Sequence, residues 1–180
     1  MTYFISMKAA LQLDETIYPQ VMAEGKIVRF TVINVLALGL IHALFSLGFS
    51  GLLWSAEVPL TGKVIFAGAG IGVAFLMHAG ASLFLWVFTR GAGGRVEFLP
   101  MYMYTGVAVI GLWPLAPFLS AWQAGATGVG LYLLMAFTSL YGLAVVYTAA
   151  RSASRLSPAR MAAAVTVCIV VIASMLYIWL

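Results

Sequence analysis

Five stretches of this chain run for at least 20 residues each without an Asp, Glu, Lys or Arg: Phe30–Leu53, Val64–Phe88, Phe98–Leu119, Gly128–Ala149 and Met161–Leu180. At ~1.5 Å rise per residue, a helix of that length covers about 30 Å or more, the thickness of a bilayer's hydrocarbon core. Backbone groups in hydrocarbon have no water to bond, so such stretches must pair internally as α-helices. Composition agrees with that reading. Only 8% of the residues are charged and 64% are hydrophobic, against about 25% charged in a domain that faces water. The expected fold is all-α, a polytopic integral membrane helical bundle of five transmembrane helices.

The basic residues orient the bundle. Lys8, Lys26 and Arg29 precede the first run, Arg90 and Arg95 lie in the second connection, and Arg151, Arg155 and Arg160 lie in the fourth. Lys63, beside Glu57, stands alone in the first connection, and the third, from Ser120 to Thr127, has no basic residue. This alternation is the positive-inside pattern for an amino terminus in the cytoplasm. An odd number of spans then places the carboxyl terminus outside. Trp54, Trp122 and Trp179 all fall at the outer boundary, where amphipathic rings prefer to sit. A net charge of +4 is thereby explained by topology, without nucleic acid. The expected location is the cell membrane, the cytoplasmic membrane in a prokaryote.

Residues 1–29 read as a cytoplasmic, interfacial segment, and residues 30–180 as the five-helix transmembrane domain. No cleavage site of the A-x-A kind precedes the first run, so the segment is expected to remain attached. Asp14 precedes a candidate helix and Pro19 suits its first turn. One or two short helices are expected to lie on the membrane face with Met and Leu side chains in lipid, the alternative being a partly ordered tail. The lone Cys168 excludes an internal disulfide and a cysteine-based zinc site, and reads as a core or lipid-facing residue.

Several motifs need weighing. Val64 to Gly72 looks like a nucleotide-binding glycine loop, yet Val73 stands where the last glycine belongs and the stretch lies inside a span. Gly68, Gly72 and Gly80 instead read as a helix-packing face of small residues. Pro100 fits a first helical turn, whereas Pro114 and Pro117 predict a kink or early end in the third span. His42 and His78 fall roughly 18 and 15 Å from the inner side at the helical rise. Facing each other, they could hold haem iron axially; the plainer reading is hydrogen bonding to Ser46, Ser82 or a backbone carbonyl. No carboxylate in any span can complete a metal site or a catalytic set around Ser46, Ser82, Ser139 or Ser174. No catalytic residue, cofactor or metal is expected. The basic loops, with Arg90, Arg95, Arg151, Arg155 and Arg160, set topology and offer contacts to lipid headgroups.

The arrangement resembles the Ypt-interacting protein (Yip) family, in its prokaryotic branch. The residues that carry the resemblance are Ala9-Ala10-Leu11-Gln12-Leu13-Asp14 leading through Tyr18 and Glu24, and Leu76-Met77-His78 to Arg90-Gly91-Ala92-Gly93-Gly94. Tyr104-Thr105-Gly106, Trp113-Pro114 and the Arg151–Arg160 linker are also similar to their counterparts there. The resemblance implies five spans and no catalytic activity. Eukaryotic relatives are linked to vesicle traffic and prenylated Rab-type GTPases, a role that does not simply transfer to prokaryotic members. The expected function is therefore non-enzymatic: organising the membrane, or binding a membrane-protein partner, a second copy of the chain (a homo-oligomer) or lipid. Two alternatives stand beside it, an accessory subunit of a bioenergetic or photosynthetic membrane complex and a small transporter or channel.

Overall fold

The computed structural model describes residues 2–179, with side chains described through residue 171 and at Ser174. Among the described residues every regular element is helical: α1 (Tyr3–Leu11), α2 (Ile17–Ala23), α3 (Ile27–Phe49), α4 (Leu60–Gly91), α5 (Phe98–Ala108), a 3-10 turn (Val109–Leu112), α6 (Leu115–Gln123), α7 (Val129–Ser154) and α8 (Pro158–Trp179). Helices α3, α4 and α7 are long and apolar enough to cross a membrane. A fourth crossing is present if α5, the 3-10 turn and α6 count as one broken span, bent by 69°. The described apolar part of α8, Pro158–Val171, is shorter than a crossing requires. The expected outer ends of the last span, Trp179 and Leu180, lie outside the described side chains.

The break in the third apolar run has a local cause. Pro114 has no N–H to give to Ile110, and the chain tightens into 3-10 geometry just before it. Trp113 N then bonds Ile110 O at 3.2 Å, and Ala116 N bonds Trp113 O at 3.3 Å. At 32 residues α4 is about 48 Å long, so that across a hydrocarbon core of ~30 Å its ends would project on both sides. Lys63 marks one such end, donating from Nζ to the carbonyls of Leu53 and Ser55 at 2.7 and 3.1 Å.

The amino-terminal helices correct an expectation. They are not free of the bundle, as a loose tail or a helix held by lipid alone would be; one face of each docks on it. Met7, Ala10, Ile17, Tyr18 and Val21 are buried in one core with Phe30, Tyr104, Val107, Val145 and Ala149. Phe4, Ile5, Leu13 and Met22 remain on the outside. The turn between α1 and α2 is closed by Asp14, whose carboxylate accepts from Thr16 N at 2.9 Å and Thr16 Oγ1 at 2.7 Å. Those bonds, side chain first, hold the Asp14 carboxyl below the usual range. Docking is fastened by Tyr141 Oη donating to Leu11 O at 2.6 Å, Ser152 Oγ donating to Glu15 O at 2.8 Å, and an ion pair between Arg151 and Glu15. Both charged partners are about one-third exposed, so the pair contributes ~1 kcal/mol at most.

Tyr18 makes this docking sensitive to alkali. Its ring is fully buried, stacks on Tyr104 with centroids 5.7 Å apart, and its hydroxyl points at Val145 O, 3.5 Å away. Burial, reinforced by the nearby Asp14 and Glu15, raises the Tyr18 pKa well above its ordinary 10.0. A group whose folded pKa is raised contributes stability that is whole below its unfolded pKa and is lost as pH climbs toward the folded one. The α1–α2 pair is thus expected to detach as pH rises above about 10. Limited proteolysis across that range should show it, and Tyr18→Phe should shift the onset upward. An unchanged onset in the variant would assign the alkaline transition to another group.

Candidate functional site

Each histidine is held by its own partner. His42 Nδ1 lies 3.0 Å from Ser120 Oγ on α6, and the same hydroxyl lies 3.2 Å from His42 O and accepts from Ser46 at 3.1 Å. His78 Nε2 lies 3.1 Å from Tyr102 O on α5, with the two rings 4.5 Å apart. Both are fixed by neighbouring hydroxyl and carbonyl groups of the broken span, at different places along it. Ser82 pairs with Thr105 Oγ1 at 2.8 Å, and Thr105 in turn donates to Met101 O at 2.8 Å. Among the described residues no three His, Cys, Asp or Glu side chains come together as a metal site. Cys168, on α8, is buried within the cluster that contains Leu85, Met101 and Met161.

The glycines change roles. A Cβ placed on Gly68, Gly72 or Gly80 would meet nothing within 4 Å, so these residues do not pack helices within the chain. The close approach of α3 and α4 is made instead by Gly39, whose added Cβ would lie 2.7 Å from Ile71 Cα and 3.1 Å from Gly70 O. Gly70 is its counterpart, with Ala43 Cβ 2.9 Å from the same construction. Gly68 and Gly72 sit on an open face of α4, where Leu76 is 73% exposed.

The residue that composition does not flag is Asn34. It is fully buried in α3. Its Nδ2 donates to Val107 O at 2.8 Å and approaches Met7 Sδ at 3.2 Å; its Oδ1 accepts from Tyr3 Oη at 2.5 Å. Its own carbonyl accepts from Trp113 Nε1 at 3.0 Å. Val107 is the residue whose carbonyl would receive the helical bond of Gly111 had the helix not tightened into the 3-10 turn. One amide therefore satisfies a backbone group freed by the break and ties α1, α3 and the broken span at a single point. The available signal was an amide inside an apolar run; a search for charged residues passes over it.

No family model, no curated protein and no solved structure matches this chain. The site must therefore be read from its own geometry.

The arginines of the connecting loops separate into two groups. Arg151 is engaged by Glu15, and Arg90 lies exposed on the last turn of α4. Arg95, Arg155 and Arg160 line one cavity of about 620 Å³, together with Gly93, Ser154 and Ser157. Its floor is rigid: Trp86 Nε1 donates to Val96 O at 3.0 Å, Gly94 N donates to Thr89 O at 2.8 Å, and Val96 and Leu156 are buried. The loop 91–95 is therefore an ordered turn braced against α7.

Proposed function

We propose that this chain is a five-span membrane protein of the Yip type. Its amino terminus lies in the cytoplasm, and it acts without catalysis by binding partners within the cell membrane. The observation that carries the reading is the open small-residue face of α4. Gly68 and Gly72 have nothing packed against them, and Val64, Ile65, Leu76 and Met77 stand exposed on the same helix. Two helices in hydrocarbon gain nothing from burying apolar surface, and they associate where small residues let backbones come close. Within the chain α4 spends Gly70 on α3; the Gly68–Gly72 pair is left for a second helix. The charge pattern supports the orientation, since Arg90, Arg95, Arg155 and Arg160 gather at one end of the bundle.

The test is Gly72→Leu in the full chain, extracted gently from its own membrane. The variant is expected to insert normally and keep its stability within ~0.5 kcal/mol, because the site is open, while losing the component that co-purifies with the parent chain. A parent chain that runs as a bare, monodisperse monomer would overturn the reading. Reporter fusions at Arg90 and Arg155 should both report the cytoplasm.

A further inference from the structure

We infer that the arginine-lined end of the bundle is a site for one anionic phospholipid, with its phosphate among Arg95, Arg155 and Arg160 and one acyl chain in the half-open apolar cavity lined chiefly by α4, α7 and α8. The inference rests on the membrane placement proposed above and is independent of the glycine face of α4.

The first observation is charge gathered without compensation. Arg95 comes from the α4–α5 loop, Arg155 from the α7–α8 loop and Arg160 from the first turn of α8, yet all three face one cavity. Arg160 reaches across to the other loop: its Nη1 lies 3.6 Å from the point a Gly93 Cβ would occupy. Among the described residues none of the three guanidinium groups has a carboxylate within 4.0 Å, whereas Arg151 and Lys26 each have one. None of the three side chains donates a hydrogen bond to protein among those residues either. Guanidinium groups repel one another, and a planar fork of donors is the group best suited to a phosphate. Arg155 is also held in the left-handed region at φ 55°, a conformation that costs a non-glycine residue roughly 1–2 kcal/mol.

The second observation lies farther along the same helices, α7 and α8. Ala153, Val96 and Leu156, which line the basic cavity, belong to the same hydrophobic cluster as Leu85, Val165 and Cys168. Those last three residues form part of the wall of a separate cavity of about 480 Å³. Val165 is five residues beyond Arg160, and Ser139, also in the wall, is fifteen residues before Ser154. At ~1.5 Å per residue the space extends from about 8 to about 22 Å below the arginines, close to half of a ~30 Å hydrocarbon core. That is the depth one lipid chain fills in its own leaflet. Most polar groups in the wall are already used, His78 on Tyr102 O, Ser82 on Thr105 and Tyr147 on Pro158 O, which leaves the single hydroxyl of Ser139. What the wall presents is hydrocarbon, so its occupant is hydrocarbon too. A free phosphate shares the headgroup chemistry but leaves this space without purpose; a lipid uses both.

The experiment reconstitutes the full chain in equimolar phosphatidylglycerol and phosphatidylcholine, extracts it gently and measures retained lipid by mass spectrometry. Phosphatidylglycerol carrying a photoreactive group midway along its acyl chain serves as the second probe. The parent chain is expected to retain phosphatidylglycerol at least about tenfold over phosphatidylcholine, and each arginine replaced by glutamine should lower that ratio about fivefold. Photoadducts should map to Leu143, Val146, Val165 or Cys168. Ala81→Phe, which fills the cavity from an exposed position, should remove the adducts while Gly72→Leu keeps them. Equal retention of both lipids, or selectivity that survives Arg95→Gln/Arg155→Gln/Arg160→Gln, overturns the inference. So does selectivity erased by excess inorganic phosphate with adducts absent from α7 and α8, which would assign the arginines to a free phosphate. Reporter fusions placing the Arg90 and Arg155 turns on opposite sides would instead sink the membrane reading itself.

Discussion

Asn34→Leu is expected to cost this protein about 3 kcal/mol, roughly a hundredfold in the ratio of folded to unfolded chains. The replacement keeps the volume and removes the amide. Val107 O and Tyr3 Oη then lose their partners at 2.8 and 2.5 Å. Val107 is fully buried and its carbonyl has no ready substitute, whereas Tyr3, whose ring packs edge-on against Phe30, is only partly buried. Leaving a buried polar group unpaired costs ~1–3 kcal/mol, and the Val107 carbonyl is such a group; the hydroxyl of the partly buried Tyr3 adds less. Interhelical hydrogen bonds in membranes are often worth less, ~0.6–2 kcal/mol. The larger figure is expected because the carbonyl belongs to a broken helix that has no other donor at that point. Unfolding by denaturing detergent, followed by helical circular dichroism, gives the number. A change below ~0.5 kcal/mol would mean that water reaches the break and replaces the amide. Tyr3→Phe should lose only the α1 share and leave the broken span intact.

The second large effect is at Gly39. Replacing it with leucine should separate α3 from α4 and destabilise the bundle by about 3 kcal/mol or more, at the upper end of what overpacking costs. The obstruction is backbone. An added Cβ would stand 2.7 Å from Ile71 Cα and 3.1 Å from Gly70 O, so no rotamer change relieves it. A water-soluble core could offset part of such a cost with newly buried apolar area. In the proposed membrane placement the surrounding lipid is as apolar as leucine and returns nothing. Gly68→Leu serves as the control, since that position is open and should stay within ~0.5 kcal/mol of the parent. The pair of variants separates glycines that hold the fold from glycines that face outward. If both were equally damaging, the α4 face would be packed by something other than α3, and the proposed partner would be an obligate part of the folded unit.

The amino-terminal segment was less legible. Its apolar residues lack a clear helical period in sequence, which left a partly ordered tail standing as the alternative to interfacial helices. In the structure Tyr18, Ile17 and Val21 enter a core with residues more than 80 positions away, and Tyr141 and Ser152 bond the backbone around the α1–α2 turn. No pattern within residues 1–29 announces a receptor surface on α7. The kink, by contrast, was legible, because Pro114 acts on its own helix through a missing N–H and needs no tertiary partner.

That distinction divides the whole molecule. By itself, the sequence determined that the long apolar runs are helical, that the third of them breaks near Pro114 and which connections carry most of the arginines, since an apolar run must satisfy its backbone internally and charge collects between such runs. Only the tertiary structure decided that Gly39 and Gly70 make the contact expected of Gly68 and Gly72, and that Asn34 answers Val107. It alone brought Arg95, Arg155 and Arg160 to one cavity while giving Arg151 to Glu15. These helices are apolar nearly all round, so their hydropathy carries no record of rotation; which side of each helix meets its neighbour is settled by close packing and by the pairing of a few polar atoms.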